Sequence, residues 1–119
     1  MDFKAIYSEE RPWGAFHNLI ESENFKLKLI EVAPLKRLSL QSHNLRSEHW
    51  VVVEGEARIV NGDDTNIYKK GDHIFIPRTN KHRLENISSK DILRVVEVQT
   101  GEYFGEDDII RYDDDFNRT

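Results

Sequence analysis

The sequence predicts an all-β domain, a barrel or sandwich of eight or more short strands, and three observations carry that reading. Short apolar runs recur along the chain, each bounded by Gly, Pro, Asn or Asp. The stretch Asn61-Gly62-Asp63-Asp64 is a strong hairpin signal, because Asn-Gly supplies the positive φ that tight turns demand. No segment of useful length carries an apolar stripe at the helical period.

The elements follow in order. Residues 25–32 and 38–43 read as strands on either side of Ala33-Pro34. Residues 49–54 form the next, followed across a turn at Gly55 by 57–60. The Asn-Gly hairpin leads to 66–69, and Lys70-Gly71-Asp72 turns the chain into 73–76, closed by Pro77. Residues 82–87 and 92–100 complete the set. Residues 106–111 have room for one helical turn, and Asp113-Asp114-Asp115 reads as a solvated acidic end.

With 119 residues the chain is expected to be one domain, 1–119, able to bury a core without staples. A charged fraction of 33% beside 38% hydrophobic residues fits a globular chain rather than a disordered or membrane one. The net charge of −5 argues against nucleic acid as a partner, and it means that a phosphorylated ligand needs a local basic cluster. Cysteine is absent, which excludes disulfides, thiol nucleophiles and thiolate metal sites. The first seven residues lack the apolar region of a signal peptide and no run is long enough to span a bilayer, so the expectation is a cytoplasmic protein with no membrane partner.

Four side chains have metal-ligand spacing. Gln41 and His43 are two apart, so a strand's period of two points both to one face, which Ser39 shares. Glu48 follows across a turn-like Asn44-Leu45-Arg46-Ser47, and His82 arrives just after the turn at 77–81. Two imidazoles, a carboxylate and an amide oxygen suit one divalent ion, whether Zn, Mn, Fe, Co or Ni. His49 follows Glu48 directly and is expected to face the other way, as a structural residue or a reserve base. His17 and His73 read as surface or packing residues.

The spacing Gln41-x-His43-x4-Glu48-x6-Gly55, followed by Gly71-x5-Pro77-x4-His82-x3-Asn86, resembles the two motifs of the cupins. Gln41 stands where the first His is usual, and Thr79 where Gly is common. The words Arg11-Pro12-Trp13-Gly14, Arg46-x-Glu48-His49-Trp50, His82-Arg83-Leu84-Glu85-Asn86 and Glu106-Asp107-Asp108-Ile109-Ile110-Arg111 narrow the likeness. From Arg11 to Arg118 the chain resembles the type II, cupin-type phosphomannose isomerase domain that often follows a mannose-1-phosphate guanylyltransferase. Pro34-Leu35 replaces the family's Pro-Gly, Phe116-Asn117-Arg118 its Tyr-Gly-Arg, and Ser42-His43-Asn44-Leu45 an aromatic and a His-rich stretch. No nucleotidyltransferase half with a Gly-rich phosphate loop is present, so guanylyl transfer is not expected of this chain.

The resemblance implies a cupin fold (a double-stranded β-helix or jelly roll) and interconversion of mannose 6-phosphate and fructose 6-phosphate. Moving a carbonyl between C1 and C2 needs a base to carry a proton through an enediol, and a metal as Lewis acid on the sugar oxygens. Glu97 is the candidate base, because a carboxylate sharing a strand face with Gln99 is odd in a run that otherwise reads as core. The bland alternative is a buried structural carboxylate bonded to an Arg. Phosphate donors are sought among Arg11, Lys28, Arg37, Arg46, Arg83 and Arg111, with Arg46 and Arg83 preferred because they lie beside the ligands; Gln99 is a further candidate for binding the sugar. Trp13 and Trp50 read as core or dimer packing rather than as a sugar platform. A homodimer is expected, since a twofold partner would cover an exposed strand edge. The competing readings are a non-catalytic sugar-binding cupin, or an isomerase or epimerase of another phosphosugar or nucleotide sugar.

Overall fold

The computed structural model describes residues 2–117, and they build two antiparallel sheets with no helix among them. In chain order the strands are β1 (Tyr7–Arg11), β2 (Gly14–Glu21), β3 (Phe25–Val32), β4 (Leu40–Ser42), β5 (Arg46–Glu54) and β6 (Glu56–Asn61). The rest are β7 (Asp64–Lys69), β8 (His73–Ile76), β9 (His82–Asn86), β10 (Leu93–Gly101) and β11 (Ile110–Asp113). One sheet runs β1-β2-β3-β10-β5-β8 and the other β11-β4-β9-β6-β7. Met1 and Arg118, the latter at the end of the family resemblance, lie outside the described residues.

Register divides the space between the sheets into a polar half and an apolar half. Across β3, β10 and β5 the inward residues pair in rows: Lys26–Gln99–Glu48, then Lys28–Glu97–Trp50, then Ile30–Val95–Val52. Val32 and Leu93 continue the apolar end, where Ile59 and Leu84 from the facing sheet complete the core. Each such apolar side chain contributes roughly 1.5–3 kcal/mol by leaving water, so this end holds the barrel together. The polar rows lie at the other end and contain charged groups that only mutual pairing can keep buried.

Gly14 and Gly62 are required by geometry. Gly14 opens β2 so close to β3 that a Cβ there would lie 2.0 Å from Glu31 O. Gly62, at φ 63°, is the first residue of the two-residue loop between paired Asn61 and Asp64, as a type II′ hairpin turn demands.

The positive-φ non-glycine residues are Leu35 (60°), Thr79 (70°) and Asn117 (55°). These are the three positions where the family pattern has glycine, so the backbone conformation is retained although the residue that suits it is lost. Asn tolerates this region, whereas Leu and β-branched Thr are strained there by roughly 1–2 kcal/mol. Leu35 and Thr79 changed singly to Gly should each raise stability by about 0.5–1 kcal/mol, because relief of strain exceeds the added freedom of the unfolded chain. Leu35 is 65% exposed and loses little packing. Urea unfolding midpoints check this, and a lower midpoint in both variants would refute it.

Several sequence expectations change. The N-terminal pair β1 and β2 was not anticipated, because a register shift between Asn18 and Ile20 breaks the alternation that signals a strand. The strand expected at 38–43 is only β4, preceded by the isolated Arg37–Glu85 bridge. β5 starts three residues before the expected 49, which moves Arg46 from a turn onto the inward face with Glu48 and Trp50. Residues 106–111 form no helical turn; a tight turn closed by Asp108 N to Gly105 O leads into β11. Nor is the acidic end merely solvated, since Arg37 holds the Asp115 carboxylate through two hydrogen bonds and Arg83 pairs with Asp113 at 3.0 Å.

Candidate metal centre

His43, Glu48 and His82 converge in the polar half of the barrel, all buried, with one donor atom from each lying within 4.8 Å of the others. β5 brings in Glu48, β9 brings in His82, and His43 follows the end of β4. Both imidazoles have a fixed orientation. His43 Nδ1 donates to Asp108 O at 2.7 Å, and His82 Nδ1 donates to Asn80 O at 3.0 Å. A carbonyl only accepts, so Nδ1 of each ring carries a proton and Nε2 is the end that faces Glu48, whose oxygens lie 3.3 Å from His43 and 3.8 Å from His82.

Electrostatics agree with that geometry. Burial, then the nearby Arg46 and His82, lowers the His43 pKa to about 4, so the ring is neutral at pH 7 and has no proton to lose on ligation. Burial pushes the Glu48 carboxyl up, but Arg46 and His82 outweigh it and hold it below the usual range. Ligands on one ion lie at most about 4.2 Å apart, twice a bond of about 2.1 Å, so a small inward closure suffices. Gln41, paired with His82 across β4 and β9, lines the same cavity. Its amide nitrogen donates to Ser39 Oγ at 3.0 Å, leaving the carbonyl oxygen as the ligating end. The donors fit a divalent ion. Arg46 Nη2 donates to His43 Nε2 at 3.3 Å, a contact that ligation would replace.

Glu97 stands one row deeper. The Trp50 indole N–H lies 3.0 Å from Glu48 Oε1 and 3.0 Å from Glu97 Oε1, so a single donor ties the two carboxylates together. Burial and the charge of Glu48 push the Glu97 carboxyl up. Gln99 Nε2 donates to Glu97 Oε2 at 2.6 Å, while Gln99 Oε1 has no hydrogen-bond partner. Rotating that amide by half a turn would let it accept from a protonated Glu97, so Gln99 can serve both states of the acid.

The cavity wall includes Arg11, Lys28, Arg46, Glu106 and Arg111 beside Gln41, Glu48, His82 and Glu97. Lys28, Arg46 and Arg111 therefore reach the cavity, and four expectations need correction. Arg83 and Glu85 alternate with the inward His82 and Leu84, so Arg83 points outward, where it donates to Leu38 O and Asp113 O. Arg37 is likewise outside, on Asp115. His49 lies on the opposite face of β5, exposed and 3.1 Å from His73, and cannot serve as a reserve base. Gln99, in the row of Glu48, holds Glu97 by a hydrogen bond rather than forming the wall. Arg11, a candidate donor from the sequence, also lines the cavity, whereas sequence reasoning missed the Trp50 N–H and Glu106, the latter hinted at only by the Glu-Asp-Asp word.

The family model described as "Mannose-6-phosphate isomerase C-terminal" matches residues 3–114. The xanthan biosynthesis protein XanB of Xanthomonas campestris pv. campestris is 43% identical over 109 residues, covering 92% of this chain and 23% of that protein. The mannose-1-phosphate guanylyltransferase 2 of Escherichia coli O157:H7 is 44% identical over 101 residues, 85% of this chain and 21% of its own length. The chain thus spans less than a quarter of these relatives. Among solved structures, a double-stranded β-helix protein of Klebsiella pneumoniae superposes with a TM-score of 0.70 at 17% identity, covering 82% of each chain. The cupin domain of Schizosaccharomyces pombe Cnp3 gives 0.69, also at 17% identity, over 73% of this chain and 64% of that one. The fold is therefore that of the cupins, as the paired motifs implied.

Proposed function

Because the chain belongs to the mannose-6-phosphate isomerase C-terminal family, we propose that it interconverts mannose 6-phosphate and fructose 6-phosphate in the cavity just described. One observation carries the reading: Glu97, not itself one of the grouped ligands, shares the Trp50 proton with the ligand Glu48. This places a carboxylate of raised pKa beside the metal centre.

His43, Glu48 and His82, with Gln41, would hold the ion, which when bound supplies Lewis acidity to the sugar oxygens. Glu97 takes the proton from C2 of the open-chain aldose, leaving an enediolate with its charge on O1. A proton then passes from the C2 hydroxyl to O1, and Glu97 returns its proton to C1 as the C2 oxygen becomes the ketone. Trp50 and Gln99 hold its two oxygens through this exchange. The low-dielectric barrel keeps water from competing for the proton.

Phosphate recognition is assigned to Lys28 and Arg46, with Arg11 and Arg111 on the same wall, in place of the expected Arg46 and Arg83 pair. Arg46→Ala should weaken mannose 6-phosphate binding by roughly 1.5–3 kcal/mol, the worth of a hydrogen bond to a charged group. Thermal-shift titrations with mannose and mannose 6-phosphate provide the comparison, and equal responses to the two sugars would remove the phosphate claim. The activity is tested by a coupled assay on mannose 6-phosphate, with chelator and then with each metal restored. Turnover that chelation abolishes and one metal restores is the expected result. No turnover with any metal would leave a sugar-binding module instead.

A further inference from the structure

The segment joining β10 to β11 is anchored at both ends. Glu102 N donates to Leu45 O at 2.9 Å, and the Asp108 carboxylate accepts from Asn44 N and Leu45 N at 3.0 and 2.9 Å. Between the anchors the chain presents Glu106 to the cavity. Its carboxylate lies 2.8 Å from Lys28 Nζ and 3.7 Å from Lys26 Nζ. Both lysines are buried, at 4% and 6% exposure, whereas the Glu106 side chain keeps 42%. Buried ammonium groups need an anion, and this segment brings one from its own chain.

A second, independent feature lies on the same wall. Arg46, 5% exposed, gives Nε to Glu48 and Nη2 to His43, yet its buried Nη1 has no hydrogen-bond partner among the described residues. An orphaned guanidinium nitrogen in a cavity is matched to an anion that Glu106 does not supply.

We propose that Glu106 stands in for the ligand's phosphate, and that a phosphate monoester enters by exchanging with its carboxylate on Lys28 while also engaging Arg46 Nη1. The proposal rests on the phosphosugar reading above and names the residue that tunes phosphate affinity. A monoester carries a charge of about −1.5 to −2 at pH 7 and three acceptor oxygens, so it outcompetes one carboxylate. A neutral hexose has nothing to exchange and leaves Glu106 on Lys28. The internal competitor therefore lowers phosphate affinity without touching that of the neutral sugar, and it keeps the buried lysines paired while no phosphate is bound.

The test is calorimetric titration of the full chain with inorganic phosphate, comparing wild type with Glu106→Gln, Glu106→Asp and Glu102→Gln. Removing the competitor should tighten phosphate binding roughly tenfold in Glu106→Gln. The shorter Glu106→Asp should gain in the same direction, which keeps the test open if the Gln variant folds poorly. Glu102, 70% exposed and paired with Arg78, carries an equal charge on the same segment. Its variant should stay within about twofold of wild type, as a screened surface charge does. Phosphate held by a metal would be common to all four proteins and cancels. Unchanged or weaker binding in both Glu106 variants overturns the proposal, as does an equal gain in Glu102→Gln. The isomerase reading fails separately, if wild type never turns over mannose 6-phosphate while the Glu106 gain persists.

Discussion

Glu97→Gln should lower kcat by roughly 10²–10⁴-fold, the usual worth of a positioned acid–base group, while the barrel still folds. Folding survives for a specific reason. The new amide keeps one oxygen for the Trp50 N–H, and its NH₂ meets Gln99, whose amide can turn its unpartnered Oε1 to accept. The variant also exchanges a buried carboxyl group for a neutral amide of the same shape, so the loss is one of basicity. Metal content and melting temperature should stay near wild type, which separates chemistry from structure. In deuterated water the wild type should place solvent deuterium in the sugar at least occasionally, because the proton rests on Glu97 between carbons. Near-normal turnover in Glu97→Gln would remove it as the base, and with His49 on the outer face another group lining the cavity would have to take that role.

Replacing His43 and His82 together by Ala should take bound metal from about one equivalent per chain to none. The pair supplies both imidazoles of the centre, and one carboxylate with an amide oxygen makes a poor site for a transition ion. The fold should persist, since Glu48 keeps Arg46 at 2.8 Å and the Trp50 N–H at 3.0 Å and is not left an unpaired buried charge. Elemental analysis reads the occupancy, and thermal unfolding supplies an independent readout. A ligand at a hundred times its Kd adds about 2.7 kcal/mol to the native state. For a domain of this size that is a rise on the order of 10 °C on adding metal to the wild type, absent in the double variant. Undiminished metal in the double variant would remove the site.

What the sequence determined by itself is local. A period of two placed Gln41 and His43 together before any topology was known, and a lone carboxylate in the run 92–100 marked Glu97 as inward and unusual. The hairpin at Gly62 was likewise legible, because backbone conformation there depends on neighbours in the chain. The fold class and the grouped ligands followed from such patterns.

Tertiary structure decided which cations reach the cavity and what holds the buried Glu97 carboxylate. Arg46 and Arg83 looked equivalent, each beside a ligand, yet the registers of β5 and β9 turn one inward and the other onto the acidic end. Lys28 meets Glu106, 78 residues further on, only because β3 pairs with β10 and the chain then folds back over the cavity. The Trp50 N–H bridges two carboxylates 49 positions apart in sequence for the same reason. Strand sidedness is a property of a few neighbouring residues, whereas the meeting of long polar side chains depends on register between strands that share no sequence signal. The candidate metal ligands could therefore be read from the chain, while the groups that surround them could be read only from the barrel.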